Sequence, residues 1–241
     1  QHRRCFVLFQ RHECFLALNC AIYYFPRFFL KMPLKDVILY GQFGRLMSQY
    51  PDIFSINPED KIPGKGRVLI SEPLLTDRFF NRTIVFLTEH TTEGTVGFIL
   101  NRVIDLMVSS AVEGFDGWDE HLSVGGPVSP DTLHYLHTLG SKVPGSVPVI
   151  PGIWWGGEID ALRNLIATGT VGRDQVRFFL GYSGWEKGQL KRELKENSWV
   201  IAKVPPDVIM KSRGNVWRDV LKSLNNKYRI WAEFPESPEM N

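Results

Sequence analysis

Two short apolar runs and a hairpin signal open the body of the chain. Residues 68–70 and 83–87 are rich in β-branched and aromatic side chains and have the length of strands. Glu93 and Gly94 separate the second run from a third at 96–100, and so short a connection joins antiparallel neighbours. The pattern therefore predicts a sheet that is at least partly antiparallel.

Further apolar runs extend this sheet toward the C-terminus. Strands are predicted near 122–124, 132–138, 147–153, 176–182 and 199–204. The run at 132–138 is also compatible with a helix.

Three other segments have the 3.6-residue period of helices. Residues 159–166 place their apolar side chains on one face, and Gly169 has the position of a C-terminal glycine. Residues 216–224 form a second such stripe. A third helix is predicted to start after Ser183, because Ser183 and Glu186 have the spacing of a capping box.

The first 31 residues differ from the rest of the chain. They are apolar and aromatic, hold all three cysteines, and carry five Lys or Arg against one Glu. Their nearly uncharged run of about a dozen residues is too short to span a bilayer, but it has the length of a signal-peptide core. We expect residues 1–46 to be a leader outside the native fold, with Met32 or Met47 as the start, and a secretory signal is the alternative. Residues 47–241 then form a single domain with its core at about 64–225.

Charge and cysteine placement restrict the chemistry of this domain. Residues 47–183 carry 10 Lys or Arg and 16 Asp or Glu, whereas residues 184–230 carry 11 and 5. Only the basic C-terminal third could supply a phosphate-binding face. No cysteine follows residue 31, so the domain has no disulfide or thiolate metal site, which suits a cytoplasmic location.

Candidate polar residues lie at the ends of predicted strands. Glu89 and His90 end the second strand and are either an acid/base pair or hydrogen-bonded structural groups. Asn101 and Arg102 follow the third strand, where Arg102 binds an anion or a structural carboxylate. A hairpin brings these two pairs to different edges of the sheet.

Two glycine-containing motifs are further candidates. Gly125 and Gly126 allow a ligand or another chain to approach the backbone closely, or they form a tight turn. Ser183 stands between Gly181 and Gly184 as in a nucleophile elbow, but the second glycine comes one residue early. We therefore favour the capping role for Ser183 and predict no catalytic residue.

Metal, cofactor and nucleic-acid sites are not predicted. His134 and His137 lack a third ligand at motif spacing. The lysines of 187–195 repeat every four residues, but interleaved glutamates dilute their field, so binding of nucleic acid is not favoured. The loop 113–120 mixes acids with Phe115 and Trp118, which either contact a partner or turn back onto the core.

Several motifs in order resemble the AlgH/YqgE family. They span roughly residues 64–225 and comprise 66–73, Asp77, 83–85, Glu89-His90, 97–102, 125–128, Leu133-His134, 179–185 and 188–190. The resemblance implies an α+β fold with a largely antiparallel, partly barrel-like sheet flanked by helices. It also implies a bacterial, cytoplasmic protein, and part of the family name comes from a proposed link to transcriptional regulation.

We therefore expect a non-enzymatic cytoplasmic protein that acts through contacts with another macromolecule, and possible roles include transcriptional regulation. A protein partner is expected and a membrane is not, while the oligomeric state is left open. The alternative is a small-molecule binding protein or hydrolase using Glu89, His90, Asn101 and Arg102. Under that alternative, these four residues should converge in one cleft.

Overall fold

The structure is a computed structural model that describes residues 58–212 and 214–235. The predicted leader 1–46, with both candidate start residues, lies outside these residues. The described chain up to Phe234 belongs to one compact unit.

Within the described residues the chain forms ten strands. They are β1 (Val68–Ser71), β2 (Ile84–His90), β3 (Gly94–Ile99), β4 (Val103–Met107), β5 (His121–Val124), β6 (Val128–His137), β7 (Val147–Ile150), β8 (Ile153–Trp155), β9 (Val176–Glu186) and β10 (Trp199–Ala202).

Six α-helices accompany these strands in the same part of the chain. They are α1 (Val108–Ala111), α2 (Ile159–Ala167), α3 (Gln189–Lys195), α4 (Pro206–Lys211), α5 (Val216–Ser223) and α6 (Asn226–Ala232). Short 3₁₀ turns lie at Pro58–Lys61, Gly140–Lys142 and Arg173–Gln175.

The strands form one open, largely antiparallel sheet. Its order is β10-β1-β2-β3-β9-β6-β8-β7, and β4 and β5 join it beside β9. The pairing of β5 with β9 is parallel, whereas the other pairings in the described residues are antiparallel. The predicted α+β fold is thus confirmed, with a sheet whose two end strands do not pair to close a barrel.

Strand β9 is the branch point of the sheet. Its first half lies between β5 and β6, and its second half pairs with β3 from Ser183 to Glu186. Gly181 separates the halves and has φ +63°, a conformation that favours glycine. Since β5 and β3 follow each other along one side of β9, two parts of the sheet meet there.

Two helices cover apolar clusters on this sheet. Leu162 of α2 packs in a cluster with Phe115, Trp118 and Phe178, and other apolar residues of α2 pack against that cluster. Leu190 and Leu194 of α3 pack in a second cluster with residues of β1, β2, β3 and β10. Each of these helices buries one stripe of apolar side chains against the sheet.

Three details of the predicted secondary structure are settled by the fold. Residues 128–137 form a strand, which removes the helical alternative at 132–138. The capping box at Ser183 is wrong, because β9 continues to Glu186 and Gly188 precedes α3. Strand β4 was not predicted, since its residues are mostly exposed and show no buried alternation.

Candidate functional site

The four residues of the predicted enzymatic site lie at two ends of one hairpin. Glu89 and His90 end β2 at the turn, whereas Asn101 and Arg102 follow β3 at the opposite end. His90 lies six positions after Ile84, the residue beside Asn101, and at strand spacing this is about 20 Å. These residues therefore do not converge in one cleft.

At the far end of the hairpin, both side chains bind backbone. Asn101 accepts a hydrogen bond from the Ile84 N–H at 3.1 Å and donates one to the Arg82 carbonyl at 2.8 Å. Arg102 donates to the Asn81 carbonyl, and burial lowers its pKa. Both residues join the start of β2 to the end of β3.

At the turn end of the hairpin, the side chain of His90 contacts its partner on the neighbouring strand. His90 and Thr95 are register partners, and Nδ1 of His90 lies 2.7 Å from Oγ1 of Thr95. Glu89 is exposed and points to solvent rather than into a cleft. This geometry matches the structural alternative for His90.

Gly125, Gly126 and Ser183 are brought together, but without space for a ligand. A Cβ atom on Gly125 would lie 2.2 Å from the Gly181 carbonyl oxygen, and one on Gly126 would lie 2.3 Å from the Tyr182 carbonyl oxygen. Buried Ser183 donates a 2.9 Å hydrogen bond to the Gly125 carbonyl. The chain that approaches this glycine pair is therefore β9 itself.

The loop 113–120 keeps its acids outside and its aromatics inside. Phe115 and Trp118 are buried, and Phe115 packs edge-on against Phe178 with ring centroids 5.1 Å apart. Glu113 and Asp116 are exposed. Phe115 and Trp118 therefore turn back onto the core, which is the second of the two predicted alternatives.

The basic face of α3 is open, and one of its glutamates is turned inward. Lys191, Arg192 and Lys195 are exposed, while Lys187 pairs with Glu93 at 3.1 Å. Glu193 instead accepts hydrogen bonds from two indole groups below the helix.

A cleft that the sequence did not predict lies beside β4, β5 and the start of β9. It has a volume of about 290 Å³ and mixed charge. Its charged and histidine side chains are Glu120, His121, Arg173, Asp174, Arg177 and Lys211.

The cations of this cleft already have partners. Lys211 lies 3.8 Å from Asp174, and Arg173 lies 3.5 Å from a carboxylate oxygen of Asp119. Arg177 is buried and donates to the carbonyls of Ile209 and Leu100, which ties α4 and the residue after β3 to β9. Arg177 is thus a structural link in the floor of the cleft.

The strand at the rim of the cleft, β4, is a sheet edge. It pairs with β5 through Val103 and Met107, and no other described strand pairs with it. Val103, Leu106 and Met107 are 39%, 38% and 41% exposed. Between them, Asp105 projects fully into solvent, with Oδ1 3.5 Å from Nε2 of His121.

The described residues contain neither a cluster of metal-ligating side chains nor a membrane-spanning helix. No group of three or more His, Cys, Asp or Glu in these ranges could hold a metal ion. His134 contacts Thr132 at 3.0 Å, and buried His137 binds backbone. No helix in the described part of the chain is long and apolar enough to cross a bilayer.

The fold and this edge define an α+β protein with an open, largely antiparallel sheet and one exposed apolar strand. A family model described as AlgH-like matches residues 68–229, and the chain belongs to that AlgH-like family. The resemblance inferred from the sequence is thereby confirmed.

Relatives that match over nearly their whole length have about 40% identity. A UPF0301 protein of Bacteroides fragilis is 41% identical over 192 residues, covering 79% of this chain and 97% of the relative. One of Chlorobaculum tepidum is 42% identical over 184 residues, covering 76% and 98%. These names assign no activity.

Two solved structures share the fold. The solution structure of AlgH from Pseudomonas aeruginosa has a TM-score of 0.57 at 26% identity and covers 75% of this chain and 98% of its own. The crystal structure of DIP2367 from Corynebacterium diphtheriae has a TM-score of 0.61 at 20% identity, with 72% and 93% covered. The second likeness concerns the fold alone.

Proposed function

We propose that the protein is a non-enzymatic, cytoplasmic binding protein that takes up an extended segment of another protein along the open edge of β4. The observation that carries this proposal is the exposure of three large apolar side chains, Val103, Leu106 and Met107, on a five-residue strand with one paired edge among the described strands.

An open strand edge is a template for one more strand. Its outward N–H and C=O groups can pair with an extended chain, and its side chains select the residues of that chain. Of the eight exposed large apolar side chains in the described residues, three lie on β4, so this is where they are concentrated. Concentrated apolar surface is typical of interaction sites, whereas single exposed apolar residues are ordinary.

An enzymatic role has less support from the same geometry. Asn101 and Arg102 bind backbone at one end of a hairpin, while Glu89 and His90 lie at the other. A small-molecule hydrolase would need them within hydrogen-bond reach of one substrate.

A role in transcription would then act through the protein partner. The basic face of α3 is exposed, but this helix has seven residues and is about 10 Å long. Such a helix offers little length for reading a DNA groove, so we place the regulatory contact at β4.

The proposal is tested by selection from a display library of random ten-residue peptides on the immobilised full chain. Wild type should enrich a peptide family, and the Leu106→Glu/Met107→Glu double variant should lose that enrichment at least tenfold. Both side chains are exposed, so their replacement leaves the fold intact, which circular dichroism checks.

Ile230→Glu is the matched control, because Ile230 is an exposed apolar residue on α6, 46% accessible. It should enrich the same peptides as wild type. Hydrogen exchange at 103–107 should slow when an enriched peptide is added. No enrichment, or enrichment that the β4 variant leaves unchanged, would refute the proposal.

A further inference from the structure

We propose, building on the function assigned above to β4, that the segment bound there is cationic: an extended run with Lys or Arg between apolar residues. The strand presents apolar side chains on both sides of one carboxylate, that of Asp105. This order of groups is what a complementary strand must match.

Asp105 is the central residue of β4 and lies between the two residues that pair with β5, where the register of the pairing shifts. Its side chain is fully exposed, and its contact with His121 at 3.5 Å is solvent-accessible and therefore contributes little to stability. Residues directly opposite each other in a sheet have Cβ atoms about 5 Å apart, close enough for a charge pair. A Lys or Arg opposite Asp105 is favoured, and an acid opposite it is disfavoured.

The surroundings of β4 are negatively charged, as Asp105 is. From residue 103 to residue 141 the chain contains six Asp or Glu and no Lys or Arg. The acidic loop 113–120 is tied to the end of β4, because the Val108 N–H donates to the Glu120 carbonyl at 2.8 Å. Its Glu113 and Asp116 are exposed, and they add a field that attracts a cationic segment.

The cations near β4 are already bound to other groups. Arg173 pairs with Asp119 of the loop 113–120 and Lys211 with Asp174, while Arg102 and Arg177 donate to backbone carbonyls. Along the strand itself, the charge that an incoming chain meets is Asp105.

A second copy of this chain is a poor occupant of the edge. Antiparallel pairing of two β4 strands about their central residue would put Asp105 opposite its own counterpart, and like charges facing each other destabilise a sheet. An exposed charge in the middle of an edge strand is a known protection against self-association. Asp105 therefore selects against a copy and for a cationic partner.

Two fluorescein-labelled ten-residue peptides test this inference against the full chain. Both alternate valine and threonine, and they differ in one central residue, Lys in one and Glu in the other. By fluorescence anisotropy, wild type should bind the Lys peptide about tenfold more tightly, as expected for gaining one charge pair and avoiding one repulsion. Added salt should reduce that preference.

Substitutions of Asp105 then test whether this residue causes the preference for the Lys peptide. Asp105→Asn should abolish it, and Asp105→Lys should reverse it. Asp131→Lys is the control, because Asp131 is an exposed acid on β6 and its replacement should leave the peptide preference as in wild type.

The outcomes separate this inference from the proposed function. If both peptides bind equally and Leu106→Glu/Met107→Glu removes both, the cationic partner is refuted and the β4 binding edge stands. If neither peptide binds and the library yields nothing, both proposals fall. If sedimentation shows a dimer that the same double variant dissociates, a second copy is the occupant and this inference is overturned.

Discussion

Ser183 donates a 2.9 Å hydrogen bond to the carbonyl oxygen of Gly125, a residue 58 positions earlier in the chain. The bond fastens the middle of β9 to the turn between β5 and β6. The same carbonyl also accepts from the Ile99 N–H at 2.9 Å, so β3 ends at this point too. Three regions of the sheet are joined at one oxygen atom.

Ser183→Ala should therefore lower stability by about 1 kcal/mol, the usual net value of one buried hydrogen bond. The loss is moderate because the Gly125 carbonyl keeps the Ile99 N–H. Urea unfolding measures it, with Ser109→Ala as the control, since the Ser109 hydroxyl donates at 3.2 Å to exposed Asp119. An unchanged unfolding free energy for Ser183→Ala would refute a stabilising role for this bond.

Gly125→Ala should be far more damaging than its small size suggests. The new methyl group would lie 2.2 Å from the Gly181 carbonyl oxygen and 2.9 Å from Cδ1 of Phe98. The backbone carbonyl cannot rotate away as a side chain does, so we expect a loss of about 3 kcal/mol, the upper part of the usual range for overpacking. Gly64→Ala is the control, because its nearest new contact is at 3.9 Å; equal melting temperatures for the two variants would contradict the packing described.

Glu193 should contribute strongly to stability although it belongs to a helix with an exposed basic face. Its Oε2 accepts from the indole N–H groups of Trp185 and Trp199, each at 2.8 Å, and both rings are buried. Glu193→Ala leaves two buried donors without an acceptor, at about 1–3 kcal/mol each. Glu193→Gln keeps an oxygen and should cost less.

Denaturation monitored by tryptophan fluorescence measures the loss of unfolding free energy in both Glu193 variants. Glu196→Ala, at an exposed position on the same turn, serves as the control and should change stability by less than about 0.5 kcal/mol. If the Ala and Gln variants of Glu193 lost the same free energy, the indole bonds would not be the cause.

Acid should destabilise the fold through His137. This side chain is buried, its Nδ1 accepts from the Leu139 N–H at 3.2 Å, and its Nε2 lies 3.1 Å from the Gly156 carbonyl. Burial lowers its pKa below the ordinary 6.5, although the Gly156 carbonyl opposes part of that shift. The folded state therefore holds His137 neutral while the unfolded chain takes up a proton.

The contribution of neutral His137 to the free energy of unfolding is fully present above pH 6.5. It is lost as the pH falls through the lowered pKa of the folded state. Burial lowers the pKa of His134 in the same direction. Urea unfolding between pH 7.5 and 5.0 should show a smaller decline for His137→Asn than for wild type. Parallel pH profiles would refute this role.

Local patterns predicted the parts of the fold that local physics determines. The hairpin of β2 and β3 follows from two apolar runs and a short turn, and α2 ends before Gly169, whose φ of +67° suits a helix C-terminus. The capping box at Ser183 failed for a nonlocal reason. Ser183 pairs with Gly97 of β3, so the strand continues past the point where the local sequence favours a helix.

The candidate site could not be predicted in the same way. Strand β4 buries little, so its five residues carry no alternating signal, and Asp105 in its centre weakens the strand pattern further. The cleft beside it combines residues near 103, 120–123, 173–178 and 210–211, which are distant in the chain. The pairing of β5 with β9 and the hydrogen bond from Arg177 to the Ile209 carbonyl bring them together.

The late position of β9 in the chain has a consequence for biosynthesis. β3, β5 and β6 are all synthesised before β9, although each pairs with it in the sheet. The interval between the synthesis of β1 and that of its neighbour β10 is longer still. At about 5–20 residues per second, the ribosome exposes these edges for several seconds before their partner emerges. Folding is thus dominated by distant contacts and should be slow, and the nascent chain is most open to aggregation or chaperone binding in that interval.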